Sequence, residues 1–404
     1  MEDGMEKIYG DSRMTKIGEI CFWLGLIMEL LIVIIDKSAY TNPLESQLFR
    51  LTFLLFCTKI ALTRYSAREW LCILLFGAVM FWSYLVNEKD EAVRVIAFLA
   101  ACKGMDIKKV MKVVFWVTLA GCAALIFLAV TGIYGAVSIT ADYGRGTAGE
   151  QLFETRYVLG MGHPNALHCM LWMVIVLAVY CAAERLKWYH FAAFLCFNFV
   201  LFLFTGSKTG VIVWALFVVM VFALCSSRRL RENRNIYILG ALIVLGCVVF
   251  AMVGSHVENT YETPDSLMHK LDKLLNGRYQ SCYAVEAARL ENWKLFASPD
   301  NTEYFDAGFV RLFYWYGIIP GMLYLGMNGY LLYQSFRKKD TVMLVMLVTF
   351  SIYNLMEAHF ISVYLLRNYL FVLMGCYWYQ PFERGQEFEG YFWQVKRLSG
   401  GLRR

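Results

Sequence analysis

Cations with few matching carboxylates mark the less apolar stretches of this chain. Arg145 and Arg156 lie in one stretch, Lys208 in a second, Arg278 and Arg289 in a third, and Arg311 and Arg367 follow it. The ionisable partners near them are Asp306 and Glu357 as carboxylates and His163 and His359 as imidazoles. Guanidiniums match the geometry of phosphate oxygens, so this set suits a dianionic ligand such as a lipid pyrophosphate. A carboxylate or imidazole beside them supplies a proton acceptor.

The third stretch is the longest polar one, about fifty residues between Gly254 and Asp306. Pro264-Asp265-Ser266 reads as a helix start, and Leu267, Leu271, Leu274 and Leu275 follow at helical spacing. That pattern predicts an amphipathic helix able to lie on a membrane surface, ended by Gly277. From Arg278 to Phe296 a second periodic stretch places Tyr279, Tyr283, Glu286, Leu290 and Trp293 on one side. Arg278 and Arg289 are eleven positions apart. On one continuous helix they would share a face about 16 Å apart, suiting a pyrophosphate at one end and a second contact further along. The plainer reading is a solvated charged face.

Other short motifs point the same way. Gly144, Gly146 and Gly149 flank Arg145, and Gly160 and Gly162 lead into His163-Pro164-Asn165. Asn165 is a candidate helix cap, with Pro164 just ahead of it. Thr205-Gly206-Ser207-Lys208-Thr209-Gly210 has phosphate-loop residue types but lacks the earlier glycine, so it reads as a tight hairpin offering one ammonium and several hydroxyls. Glu357-Ala358-His359 and Arg367-Asn368 sit at or inside apolar runs, where ionisable residues are costly and become functional candidates. Mutual pairing of Arg311, Glu357 and Arg367 is the structural alternative.

These residues need a scaffold, and composition identifies it. The 404 residues are 59% hydrophobic and 17% charged. Mean hydropathy is +0.50, too apolar for a soluble domain. Apolar runs of spanning length recur throughout, without the alternation of a membrane barrel. We predict an all-α, polytopic membrane protein of about twelve spans, at 17–35, 44–63, 70–86, 90–103, 110–133, 158–182, 188–204, 209–225, 236–254, 306–333, 341–358 and 361–380. It forms one transmembrane domain over 1–404, with a large loop over 255–305 and a basic tail over 381–404. The first span reads as retained rather than cleaved.

Basic residues alternate between connections. Arg64, Arg68, Lys103, Lys108, Lys109, Arg185, Lys187, Arg228, Arg229, Arg337 and Lys338 all fall in even-numbered ones. The positive-inside rule then places both termini in the cytoplasm and the large loop outside. In the short fourth span Arg94 is expected to snorkel to the outer surface. The net charge of +6 therefore marks cytoplasmic loops and no nucleic-acid partner. Most of the twelve cysteines sit in apolar runs, no metal-ligand spacing occurs, and nothing in the sequence requires a metal, nucleotide or other cofactor. Aromatic residues make up 16% and include Tyr304, Tyr314, Trp315 and Tyr316, suited to the interface and to sugar faces.

The chain resembles the O-antigen and capsule polysaccharide polymerases (Wzy-type) of the wider O-antigen ligase and polymerase group. The matching pieces are the Arg-Gly-rich loop into Gly162-His163-Pro164-Asn165, the hairpin Thr205–Thr209, Asn276-Gly277-Arg278, Asp306 to Gly317, and Glu357 with Asn368. The resemblance spans most of the chain. It implies a metal- and nucleotide-independent glycosyltransferase on the outer face of a bacterial cytoplasmic membrane. Its substrates would be undecaprenyl-pyrophosphate-linked glycans, its surroundings membrane lipid, and its partners a flippase and a chain-length regulator. Under that reading Arg278, Arg289, Asp306, Glu357 and His359 are catalytic candidates. Arg145, Arg156, His163, Asn165, Lys208, Arg311, Arg367 and Asn368 are substrate-binding candidates.

Two other functions fit the same features. A ligase of the same group would move a finished glycan to another acceptor. A lipid-linked oligosaccharide flippase would need a charged midplane cavity and similar halves. No internal repeat is evident, and the polar residues gather at the outer ends of spans rather than halfway down.

Overall fold

The computed structural model describes residues 2–142, 153–258, 265–379 and 389–390. The chain is an all-α, membrane-embedded protein. Its helices are α1 (Glu2–Lys37), α2 (Glu45–Ala61), α3 (Ala67–Asn87), α4 (Glu91–Ala101), α5 (Ile107–Val130), α6 (Pro164–Ala182), α7 (Trp188–Thr205) and α8 (Lys208–Ser226). Then come α9 (Arg228–Glu232), α10 (Arg234–His256), α11 (Leu267–Leu274), α12 (Arg278–Ala284), α13 (Gly308–Tyr316), α14 (Ile318–Lys338), α15 (Thr341–Tyr353) and α16 (Leu370–Trp378). Among the described residues, seven helices are long and apolar enough to cross a membrane: Arg13–Lys37 of α1, then α3, α5, Pro164–Arg185, α7, α8 and α10.

Local chemistry sets the helix starts. Ser66 and Glu69 form a reciprocal capping box at α3, Asp106 caps α5, and Ser207 caps α8 by accepting from Gly210 N at 3.3 Å. Pro164 occupies the first position of α6, where its missing N–H costs nothing. The helix therefore starts two residues earlier than expected. His163 is the cap and Asn165 is inside the first turn, with its side chain available for other contacts.

The core centres on α15. All of its residues except Ile352 are buried, as expected for a helix that is apolar all round. It packs against α6, α8, α10 and α14. Trp172 of α6 lies edge-on to Phe350 and at 5.2 Å from Tyr353, while Phe350 stacks on Phe360 at 4.1 Å.

The last three predicted spans differ from expectation. The run 306–333 breaks at Gly317 into α13 and α14. Gly317 has φ 96°, and a Cβ there would lie 2.6 Å from the Phe296 Cα. The loop backbone runs alongside this break, with Ile318 N donating to Lys294 O at 2.9 Å. The runs 341–358 and 361–380 hold helix only over α15 and α16. Between them 354–369 is irregular, apart from two short 3-10 turns. At 13 and 9 residues, α15 and α16 rise about 20 and 14 Å.

Connections sort into two ends. Asp36, Arg94, Asn165, Arg278 and Arg367 meet at one end, which also carries the long 257–307 segment (the loop end). At the other, Lys103 pairs with Glu69 at 2.7 Å and Lys338 lies 4.4 Å from the Tyr377 ring. There β1 (Tyr65–Ser66) also pairs antiparallel with residues 389–390, while at the loop end β2 (Ser138–Asp142) pairs antiparallel with β3 (Phe153–Tyr157). Arg94 does not snorkel. It is 4% exposed because Asp90 Oδ1 at 2.9 Å and the Val363 carbonyl at 2.8 Å hold it inward.

Candidate functional site

Four residues that are far apart in sequence converge at the loop end. Gly277 adopts a left-handed conformation and starts α12 with Arg278 as its first residue. Asp272 holds this turn, accepting from Tyr279 N and Gln280 N at 2.9 Å each. Arg278 thereby points back to the bundle. Its Nη1 meets Asp306 Oδ2 at 2.7 Å and its Nη2 meets Glu357 Oε1 at 2.9 Å. Asn165 Nδ2 donates to the same Glu357 oxygen at 2.9 Å. The Asp306 side chain is 43% exposed, whereas those of Arg278 and Glu357 are 12% and 15% exposed.

One guanidinium is thus shared by two carboxylates, and the inner one is the perturbed one. Glu357 lies beyond the end of α15, outside the helices. Burial pushes its carboxyl up to about 7, the neighbouring Arg278 pulls it down, and the Asp306 charge adds to the rise. A carboxyl near 7 that reaches a half-open carboxylate and a hydrogen-bond donor is suited to accept a proton at neutral pH.

A second group adjoins the first, two residues further along the chain. His359 is buried, and the cations acting on it are Lys37, Arg367 and Arg311. Arg367 is ion-paired to Asp36 and sits 4.4 Å from the Tyr364 ring, and Lys37 lies 3.6 Å from the same Asp36 carboxylate. Arg311 donates to the Ile361 carbonyl and lies between the rings of Tyr304 and Trp315, 4.2 and 4.1 Å from their centres. Arg311 Nε and Nη1, Arg367 Nε and His359 Nε2 are buried with no hydrogen-bond partner among the described residues. Two of these cations, Lys37 and Arg367, share the Asp36 carboxylate, while Arg311 rests on a carbonyl and two rings. Lys37, Glu357 and Arg367 all act on Cys169, so the two groups are neighbours.

Comparison with family models, with curated proteins and with solved structures gives no match.

Several expectations change. Arg278 and Arg289 do not share a helical face, because α12 ends at Ala284 and Val285 is extended before two short 3-10 turns. Arg289 instead donates to the Tyr283 carbonyl at 2.8 Å and covers that ring at 4.1 Å. Arg311, Glu357 and Arg367 do not pair with one another, since each has a different partner. Arg156 is held by Glu154 on the same strand and packs against Gly206. Lys208 is exposed at the start of α8, in the hairpin expected there. Asn368 is buried, donates to the Tyr324 hydroxyl at 2.9 Å and accepts from Leu370 N, so it anchors the start of α16. Arg145 lies outside the described residues.

Sequence reasoning missed Asp36 and Lys37 as site residues. The signal was an adjacent carboxylate and ammonium closing an apolar run. His168 was also passed over. It is buried, bonded to Thr205 at 3.1 Å and Asn198 at 2.9 Å, and covered by Gly210, so it ties α6 to the α7–α8 hairpin.

Proposed function

We propose that this protein is a polysaccharide polymerase that joins undecaprenyl-pyrophosphate-linked repeat units at the outer face of the bacterial cytoplasmic membrane. In this reading the shorter helices complete about twelve crossings. The basic connections and both termini face the cytoplasm, and the 255–305 loop faces outward. The observation that carries the reading is the pairing of a proton acceptor with a surplus of cations. Glu357, shared with Arg278 and Asn165, lies beside the Lys37, Arg311 and Arg367 group.

Glycan transfer needs both halves. The acceptor sugar hydroxyl forms a bond to the donor's anomeric carbon, and its proton passes to Glu357. The bond from that carbon to the pyrophosphate breaks, and the electron pair leaves on the pyrophosphate oxygen. Cations held in a buried setting stabilise the charge that develops there. Arg311 and Arg367 replace Arg289 and Lys208 as the leading candidates for that role. Tyr304 and Trp315, which flank Arg311, offer rings for a sugar face.

The test is a reconstitution. Purified protein in lipid, given a single lipid-linked repeat unit, is expected to yield a ladder of lengthened products without added metal or nucleotide. A product carrying the glycan on a different class of acceptor, with no ladder, would instead make it a ligase.

A further inference from the structure

A cleft beside this site opens between α3, α4, α13, α14, α16 and residues 360–365. It holds about 670 Å³ of empty space, part of it open to the outside. Met80, Val95, Leu323, Met327 and Phe371 line its length. Its polar end is made by Glu91 and Arg94 of α4 and Tyr316 of α13. Glu91 Oε2, Arg94 Nη1 and the Tyr316 hydroxyl are buried there, all three without a hydrogen-bond partner among the described residues. Arg94 and Tyr316 are 4% and 6% exposed. Unpaired buried polar atoms are costly, and three on residues that line one cavity point to a ligand that satisfies them.

The shape and the charge specify its class. The walls are mostly hydrocarbon, which suits an apolar chain. The polar end offers no cation surplus to a phosphate. Three cations, Lys89, Arg94 and Arg311, act there against three carboxylates, Asp90, Glu91 and Glu29. An anion would bring a charge with no spare cation to match it. An uncharged hydroxyl fits each orphan atom, because it accepts from Arg94 Nη1 or Tyr316 and donates to Glu91 Oε2.

We infer that this cleft binds a single-chain, hydroxyl-headed amphiphile, with the hydroxyl between Glu91, Arg94 and Tyr316. The inference does not depend on the polymerase reading. The chain could be straight, as in an acyl lipid, or isoprenoid, and the shared feature is the neutral hydroxyl end.

The experiment uses the full-length protein in lipid nanodiscs with a hexadecanol carrying a diazirine on its chain. Photolabelled peptides are expected to come from 80–96 and 320–327. Unlabelled hexadecanol or geranylgeraniol should displace the probe at about one-tenth the concentration of hexadecyl phosphate, the effect of one well-made buried hydrogen bond. Whichever alcohol competes better identifies the chain type. Leu323→Trp fills the cleft and should abolish labelling, while Tyr316→Phe should keep labelling but shrink the alcohol preference. Val95→Phe repeats the first test from the facing helix if the tryptophan variant does not fold. Equal competition by the phosphate, or labelling spread over the lipid-facing helices and untouched by Leu323→Trp and Val95→Phe, overturns the inference.

Discussion

Two charged groups lie side by side at the loop end, and they balance charge in opposite ways. At Arg278 one cation serves two carboxylates, Asp306 and Glu357. Around His359 lie three cations, Lys37, Arg311 and Arg367, of which Lys37 and Arg367 share Asp36. The first group has negative charge to spare and can take up a proton. The second has positive charge to spare and can receive an anion. Burial is similar in both, so the difference comes from stoichiometry rather than depth. Adjacent surpluses of opposite sign give one site both an acid–base end and an anion end, provided Arg278 screens one from the other.

That contrast is breakable. The largest effect is expected from Glu357→Gln, which keeps the shape and the Asn165 contact but removes the proton acceptor. Turnover in the reconstituted ladder assay should fall by about 10²- to 10⁴-fold, with glycan binding little changed. A variant retaining near-normal turnover removes Glu357 from the chemistry. Next, Arg367→Met should cost about 10²-fold or more in turnover, because a buried cation at a developing charge is lost. If Arg289→Met costs more than Arg367→Met, the cation surplus around His359 is not the anion end.

The pH profile sharpens the other half. Activity that needs ionised Glu357 should rise with pH through a midpoint near 7. Asp306→Asn removes a negative neighbour, so the charged form becomes easier to reach and the midpoint should move to lower pH. Asn165→Ala removes a hydrogen bond to the charged form, so the midpoint should move up, with a loss of about 3- to 10-fold at neutral pH. Shifts of the same sign in the two variants would break the assignment of Glu357 as the titrating group.

Much of this could be read from the chain, though unevenly. Hydropathy located the long helices, because each must be apolar over its whole length to lie in lipid. Residue type marked Asn165, Arg278, Asp306 and Glu357 as candidates. Nothing local could pair them, because they come from four separated stretches and meet only through the bundle. Periodicity failed from Val285 onward. The apolar spacing persists there, but the loop packs Ala288 and Trp293 inward through short turns rather than one helix. Span prediction failed at 354–369 for a related reason. Hydropathy averages over Ala358, Phe360 and Ile361, while Asn354, Glu357 and Asn368 take partners that a continuous helix would not allow.

The segment 354–369 carries Glu357, His359 and Arg367 directly off the end of α15, the helix enclosed on all sides. Glu357 and Arg367 are therefore anchored to the most enclosed helix, whereas among the described residues the 257–307 segment supplies Arg278 and Asp306 from outside it. Under the proposed function, the protein can then change what it recognises by exchanging loop sequence while Glu357 and Arg367 stay in register. Diversity among variants of such a protein should concentrate in the loop, and conservation in one short tether.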